Sequence, residues 1–288
     1  MAVAATNKTG ARPSWAGRRP SAPAWVGTVP FFAYVAVFLL WPTGIVVVDA
    51  VKNPNGAWAF SNLSELGSPQ VRGYFIGSFK LCLISSVAGA VLGAILAYAV
   101  ASGNPDGLIR RLYISVSGVL AQTGGVILAF SFLVLIGPVG LLFHASWYFE
   151  FPWGIGLIYT YFQIPLMVLV FMPAIDGLKV QWREASENLG ASSWQYWRHV
   201  GGPLLLPAFL GATLLLFANA LSAFATIQAW ENQIAYIVPQ QISTAMSSEV
   251  GLSNVNEADL LALGMIIMVA IVMTGYALLL RRAARWLR

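Results

Sequence analysis

Residues able to do chemistry are few in this sequence, and most of them crowd into one stretch. Residues 182–207, WREASENLGASSWQYWRHVGGPLLLP, hold two carboxylates, two arginines, a histidine and three tryptophans between long apolar runs. Glu184 and Glu187 are placed there to meet a cationic partner rather than to run an acid–base reaction. Other chemistry is excluded by spacing. No G-x-x-x-x-G-K-[ST] loop occurs, so the chain has no phosphate cradle of that kind and any ATP must be hydrolysed elsewhere. A G-x-S-x-G elbow and an H-E-x-x-H pair are equally absent. Cys82 is the single cysteine, which excludes a disulfide framework and a multi-thiolate metal site. His144 and His199 stand 55 residues apart without ligand-type spacing around them, so no metal site is expected. An intramembrane enzyme needs ionisable groups inside its bundle. The central apolar runs nearly lack them, and no enzymatic function is expected.

The elements that must position that stretch are membrane spans. Of the 288 residues 58% are hydrophobic and 9% charged, and the mean hydropathy is +0.72; soluble domains carry about 25% charged residues. Roughly 20 apolar helical residues cross a bilayer core. Six segments satisfy this: 28–48, 75–100, 112–136, 154–175, 203–227 and 260–280. Backbone amides in lipid must bond internally, so the fold class is an all-α, six-helix integral membrane protein. With the N-terminus inside, 13 of the 16 Lys and Arg residues fall on the cytoplasmic side (Lys8, Arg12, Arg18, Arg19, Arg110, Arg111, Lys179, Arg183, Arg198, Arg281, Arg282, Arg285 and Arg288). That bias predicts N-in, C-in topology. Residues 1–24, rich in Ala, Pro and Arg, read as a disordered basic tail, and 25–288 as the transmembrane domain. The Arg18–Arg19 pair precedes a run too long for a removed leader, which favours a retained anchor.

Within this topology residues 176–202 form a cytoplasmic loop, much longer than the other one at 101–111. Leu178, Trp182, Ala185 and Leu189 are spaced as a helical stripe, Gly190 suits a helix C-cap, and Ser192 or Ser193 can cap a second short helix carrying Trp194 and Trp197. Pro203 suits the first turn of the next span. Two readings fit this helix-turn-helix: an amphipathic linker resting at the headgroups, or a docking element. Gly89, Gly93 and Ala97 recur every fourth residue and predict close helix packing. Neutral polar residues form stripes: Ser115, Gly118, Gln122 and Gly125 on span three, Tyr159 and Gln163 with Tyr161 on span four, and Asn219, Ser222 and Thr226 on span five. Unpaired amides in hydrocarbon cost roughly 2–7 kcal/mol, so these groups face protein or a water-filled cavity. Interhelical bonding and a translocation pathway both remain open. The outer loop 228–259 has four acids and no Lys or Arg, and reads as solvated, as a receiver of an external binding protein, or as favouring a cationic substrate at the cavity mouth.

EASENLGASSWQYWRHVGGP resembles the EAA loop of permease subunits in binding-protein-dependent ABC importers. Glu184, Ala185, Gly190 and Pro203 match its pattern; Ser186 takes the third position, Val200 the apolar one, and Gly202 stands where Leu is usual. The resemblance implies the type I importer permease fold with a cytoplasmic coupling helix, in which Glu184, Ala185, Ser186, Glu187, Gly190 and Trp194 dock on a separate ATPase. It further implies a non-catalytic multi-pass subunit of a prokaryotic cytoplasmic membrane. The implied partners are a second permease, usually a different chain in this branch, two ATPase subunits that bind ATP and Mg, and an extracytoplasmic binding protein. No cofactor belongs to the chain itself and no nucleic acid is expected. Gln122, Tyr159, Tyr161, Gln163, Asn219 and Ser222 are the pathway candidates. YTYFQIPLMVLVFMPAIDGLKVQWREASENLGAS and LLLFANALSAFAT look most like the spermidine/putrescine branch, which makes a polyamine the expected cargo. Sugar or glycerophosphate, iron, thiamine and phosphonate are alternatives, and an ATPase-independent channel or secondary carrier is the rival class.

Overall fold

The computed structural model describes residues 28–52, 56–104, 106–137, 140–142, 144, 146–230, 237–247 and 255–285. The expected N-terminal tail lies outside them. Helix α1, Val29–Asp49, is 21 residues long and passes the length and hydropathy test for a span. Pro42 lacks a donor and crowds the carbonyl four residues earlier, and the turn before it, Ala36–Leu40, widens into a π-helix. Two compact units divide the chain at Ile45.

Among the described residues of the second unit the regular elements are helices, joined by turns, with one isolated bridge between Lys52 and Trp58. Helix α2, Pro69–Ala101, begins at Ser68, whose hydroxyl accepts from the Val71 amide at 3.3 Å. Next come α3, Leu108–Ala121, and α4, Gly125–Ile136. Helix α5, Trp153–Asp176, is the most buried of the described spans. Helix α6 is Val180–Asn188 and α7 is Ser193–Ser222. Two short helices, α8, Phe224–Trp230, and α9, Val238–Ser247, precede α10, Val255–Arg285.

The principal seam joins α2 to α5, and the small-residue stripe makes it. A Cβ on Gly89 would stand 2.6 Å from Gln163 Cβ, and one on Gly93 would stand 2.5 Å from Met167 Cβ and 2.7 Å from the Ile164 carbonyl. Ala90 and Ala97 are fully buried on the same seam. In lipid the apolar surroundings remove the hydrophobic drive between helices, so this closeness stabilises through van der Waals contact.

Two expected spans differ from the single helices that the hydropathy suggested. Span three is broken: α3 and α4 meet at 97° across Gln122–Gly124. Gly124 and Gly125 carry the chain round the corner, and apolar content alone does not register such a bend. Span five stops at Ser222, since Ala223 leaves helical geometry at φ −79°, ψ 54°. Among the described residues the count is therefore five continuous candidate spans plus one bent pair. The expected separate second helix of the loop is also continuous with span five, through a π-turn at Trp197–Gly201. The outer loop 228–259 is not bare coil, because α9 packs inward with its Val238 amide donating to buried Ser78 Oγ at 2.9 Å.

Candidate functional site

The elbow between α5 and α7 is closed by backbone chemistry at both bends. At the end of α6 the Gly190 amide donates to the Glu187 carbonyl at 2.9 Å and the Ala191 amide to the Ser186 carbonyl at 3.0 Å. These are the two bonds of a Schellman stop. Gly190 adopts φ +78°, a left-handed value open to glycine at little cost. Two residues later Ser192 starts α7 with a complete capping box. Its hydroxyl accepts from the Gln195 amide at 3.3 Å, and the Gln195 side chain accepts from the Ser192 amide at 2.7 Å. Orphan groups at two adjoining helix ends thereby find partners between Ser186 and Gln195, which stiffens the elbow.

Its outer surface is left uncovered. No residue of α6 is buried; Leu189 is 88% exposed and Trp194 71%. Beneath the bend lies an apolar groove of about 360 Å³ between Trp182, Ala185, Ser186 and Leu189 on one side and Val200 and Leu204 on the other. The two carboxylates separate in role. Glu187 accepts from Arg183 Nε at 2.9 Å, one turn away, and this bond raises the Arg183 guanidinium above its ordinary value. Glu187 is thus not the free carboxylate that its sequence position suggested, whereas Glu184 is exposed and open to an external cation. The Ser186 hydroxyl turns back on the Arg183 carbonyl at 2.7 Å, and Ala185 lines the groove. At the root of the elbow Trp197 meets the Tyr98 ring edge-on, 5.0 Å between centroids, which seats it against the end of α2.

The six pathway candidates do not form one wall. Gln122 caps the end of α3 at the first break and is exposed, and Ser222 ends α7 at the second, also exposed, with its hydroxyl donating to the Asn219 carbonyl at 3.0 Å. Asn219 is half-buried. Tyr161 is partly exposed and packs edge-on against Phe132 at 5.3 Å. Tyr159 and Gln163 are fully buried among the helices. Gln163 Nε2 donates to Ser85 Oγ at 3.1 Å, tying α5 to α2. Tyr159 donates to the Ala223 carbonyl at 2.8 Å, supplying a partner where the second break leaves a carbonyl without its helical one.

The stripes expected on spans three and five are interrupted by the same breaks. Gly125 lies beyond the corner from Ser115, Gly118 and Gln122, and Thr226 lies on α8 rather than on α7. A Cβ on Gly125 would collide with Thr226 Oγ1, so α4 and α8 are packed together beyond the two breaks. Tyr148, in the connection before α5, donates to the Ala129 carbonyl of α4 at 3.0 Å; burial pushes its phenol up to about 12. Sequence reasoning missed Tyr148, Ala223 and the ion pair of Arg110 with Asp176, which joins the start of α3 to the end of α5. Asp176 did carry a signal. An acidic residue at a helix C-terminus opposes the macrodipole and asks for a partner.

The chain matches no family model. It is 25% identical over 224 residues to the sulfate transport system permease protein CysT of Escherichia coli K12, spanning 71% of this chain and 76% of that one. To the molybdenum transport system permease protein ModB of the same organism it is 31% identical over 105 residues, 34% of this chain and 46% of that protein. Among solved structures the fold superimposes on a chain of a bacterial ABC transporter that imports the acidic polysaccharide alginate, with TM-score 0.72 at 16% identity, covering 90% of this chain and 94% of that one. It also superimposes on a chain of the MetNI methionine ABC transporter in an inward-facing conformation, with TM-score 0.57 at 17% identity, covering 74% and 95%. These relatives lend no support to the spermidine/putrescine branch expected from the sequence.

Proposed function

We propose, from the premise that this chain is a non-catalytic permease subunit of an ABC importer in the cytoplasmic membrane, that residues 176–202 are the elbow through which a separate ATPase moves it. The observation that carries this reading is the combination of a doubly capped bend with uncovered apolar side chains. A loop that merely connected two spans would have no use for Leu189 and Trp194 in water, nor for a Schellman stop followed two residues later by a capping box. Glu184 offers a charge-assisted bond to a cation on the ATPase, Gly190 permits close backbone approach, and Trp194 supplies rigid contact area. ATP binding draws the elbows of two permeases together, and hydrolysis resets them. The elbow then faces the cytoplasm, which agrees with the N-in, C-in orientation drawn from the Lys and Arg bias.

For cargo we favour a small oxyanion, carried past the two span breaks near Gln122 and Ser222. The buried polar side chains among the described residues are Ser78, Ser85, Ser86, Ser117, Gln163, Thr226 and Gln240. All are neutral, so nothing among them offsets a polyamine's charges, while the sulfate and molybdenum relatives point to anions. Partners on this reading are a second permease, ATPase subunits and an extracytoplasmic binding protein. Co-expression with the neighbouring genes tests it: a solubilised complex that retains an ATPase and hydrolyses ATP faster with loaded binding protein supports the function. Purification of the chain alone, with transport intact, refutes it. Thermal shifts of the binding protein with sulfate, molybdate and spermidine decide the cargo; a response to spermidine alone overturns the oxyanion reading.

A further inference from the structure

Arg110 and Asp176 form an ion pair across 66 residues of sequence, and each stands at the wrong end of its own helix. Arg110 lies in the first turn of α3, where the backbone dipole is positive, and Asp176 is the last residue of α5, where it is negative. Locally each charge weakens the helix that bears it. Such a conflict with local preference persists where the tertiary contact matters more, and it marks positions with a task. The side chain of Arg110 is 14% exposed and that of Asp176 43%, so the pair is partly withdrawn from water, where screening is weaker.

Its place in the chain indicates the task. Only Gly177, Leu178 and Lys179 separate Asp176 from the first residue of α6, so the carboxylate sits at the root of the elbow. Arg110 sits at the near end of α3, a rod of about 21 Å at the usual rise per residue, which packs on α5. The far end of that rod is the 97° break with exposed Gln122. We propose that the Arg110–Asp176 pair is the link that carries displacement of the elbow into α3 and so to the break at Gln122–Gly124. The two are positioning residues for transport, acting through α3 rather than on cargo or ATP. This inference rests on the elbow being the ATPase-coupled element.

The test uses the whole complex in proteoliposomes: both permeases, ATPase and binding protein. Arg110→Gln and Asp176→Asn are each expected to assemble with ATPase and to hydrolyse ATP within twofold of wild type, while cargo moved per ATP falls at least fivefold. The exchange Arg110→Asp with Asp176→Arg restores the link with both charges at their favoured helix ends. It is expected to return cargo per ATP to within twofold of wild type. The proposal is overturned if the single variants transport normally, or if their loss is not recovered by the exchange. Loss of ATPase binding in the single variants also overturns it, because the pair would then govern assembly. Failure of the wild-type chain to bind any ATPase would instead remove the coupling elbow itself, a result separable from these.

Discussion

Gly190 offers a perturbation whose effect is confined to the backbone. Its φ of +78° lies in the left-handed region, yet nothing stands within 4 Å of a Cβ placed there. Replacement by Ala therefore creates no clash, and the cost is the left-handed penalty alone, roughly 1–2 kcal/mol. Spent on opening the Schellman stop, that energy shifts the closed elbow's population by up to about 5- to 30-fold. The apparent affinity for ATPase falls by no more than the same factor, because only the closed form docks. Asn, which tolerates this region, is expected to be mildest, Ala intermediate, and Val, branched at Cβ, worst. The assay is a titration of the solubilised permease complex with purified ATPase, alongside the melting temperature. The melting temperature should barely move, since the site is exposed and outside the bundle. Equal affinities for Gly190→Asn, Gly190→Ala and wild type would refute the reasoning, as would an affinity loss that tracks a fall in melting temperature.

Three other outcomes are expected. Glu184→Arg should lower ATPase stimulation at least tenfold while leaving membrane insertion intact, whereas Glu187→Gln, which releases only the exposed Arg183 bond, should change it less than twofold; stimulated hydrolysis rates separate the two. Gly93→Leu should destabilise the α2–α5 seam by about 3 kcal/mol, the upper end for overpacking, because both Met167 Cβ and the Ile164 backbone stand in the way; thermal unfolding in detergent measures it. Tyr159→Phe leaves the Ala223 carbonyl without its donor and should cost about 1–3 kcal/mol, read by the same unfolding curve; an unchanged curve would mean that this bond does not hold the second break.

Much of the elbow was legible beforehand because its signals are local. Gly190 and Ser192 announce their turns within three or four residues, and each helix end follows from chemistry between near neighbours. The small-residue stripe was legible for a similar reason: Gly89, Gly93 and Ala97 fix a face by spacing, and that face met α5. The breaks were not legible. Ala223 and Gln122–Gly124 lie inside continuous apolar runs, and hydropathy integrates over such runs without sensing direction. The bend is stabilised instead by distant groups, with Tyr159 reaching the Ala223 carbonyl and Thr226 fitting the space at Gly125. For the same reason the polar stripes were drawn on helices that turn away partway along. Glu187 was read as unpaired because its i,i+4 partner Arg183 was counted only as a topogenic charge.

The measurement that bears most directly on the account is a photo-crosslink from position 194. A benzophenone amino acid there, on an exposed ring that α6 does not cover, is placed in membranes of cells that express the neighbouring transport genes. The account predicts a covalent product with the ATPase subunit, diminished when Glu184 is replaced by Arg. Labelling of lipid alone, in membranes that still import cargo, would contradict it.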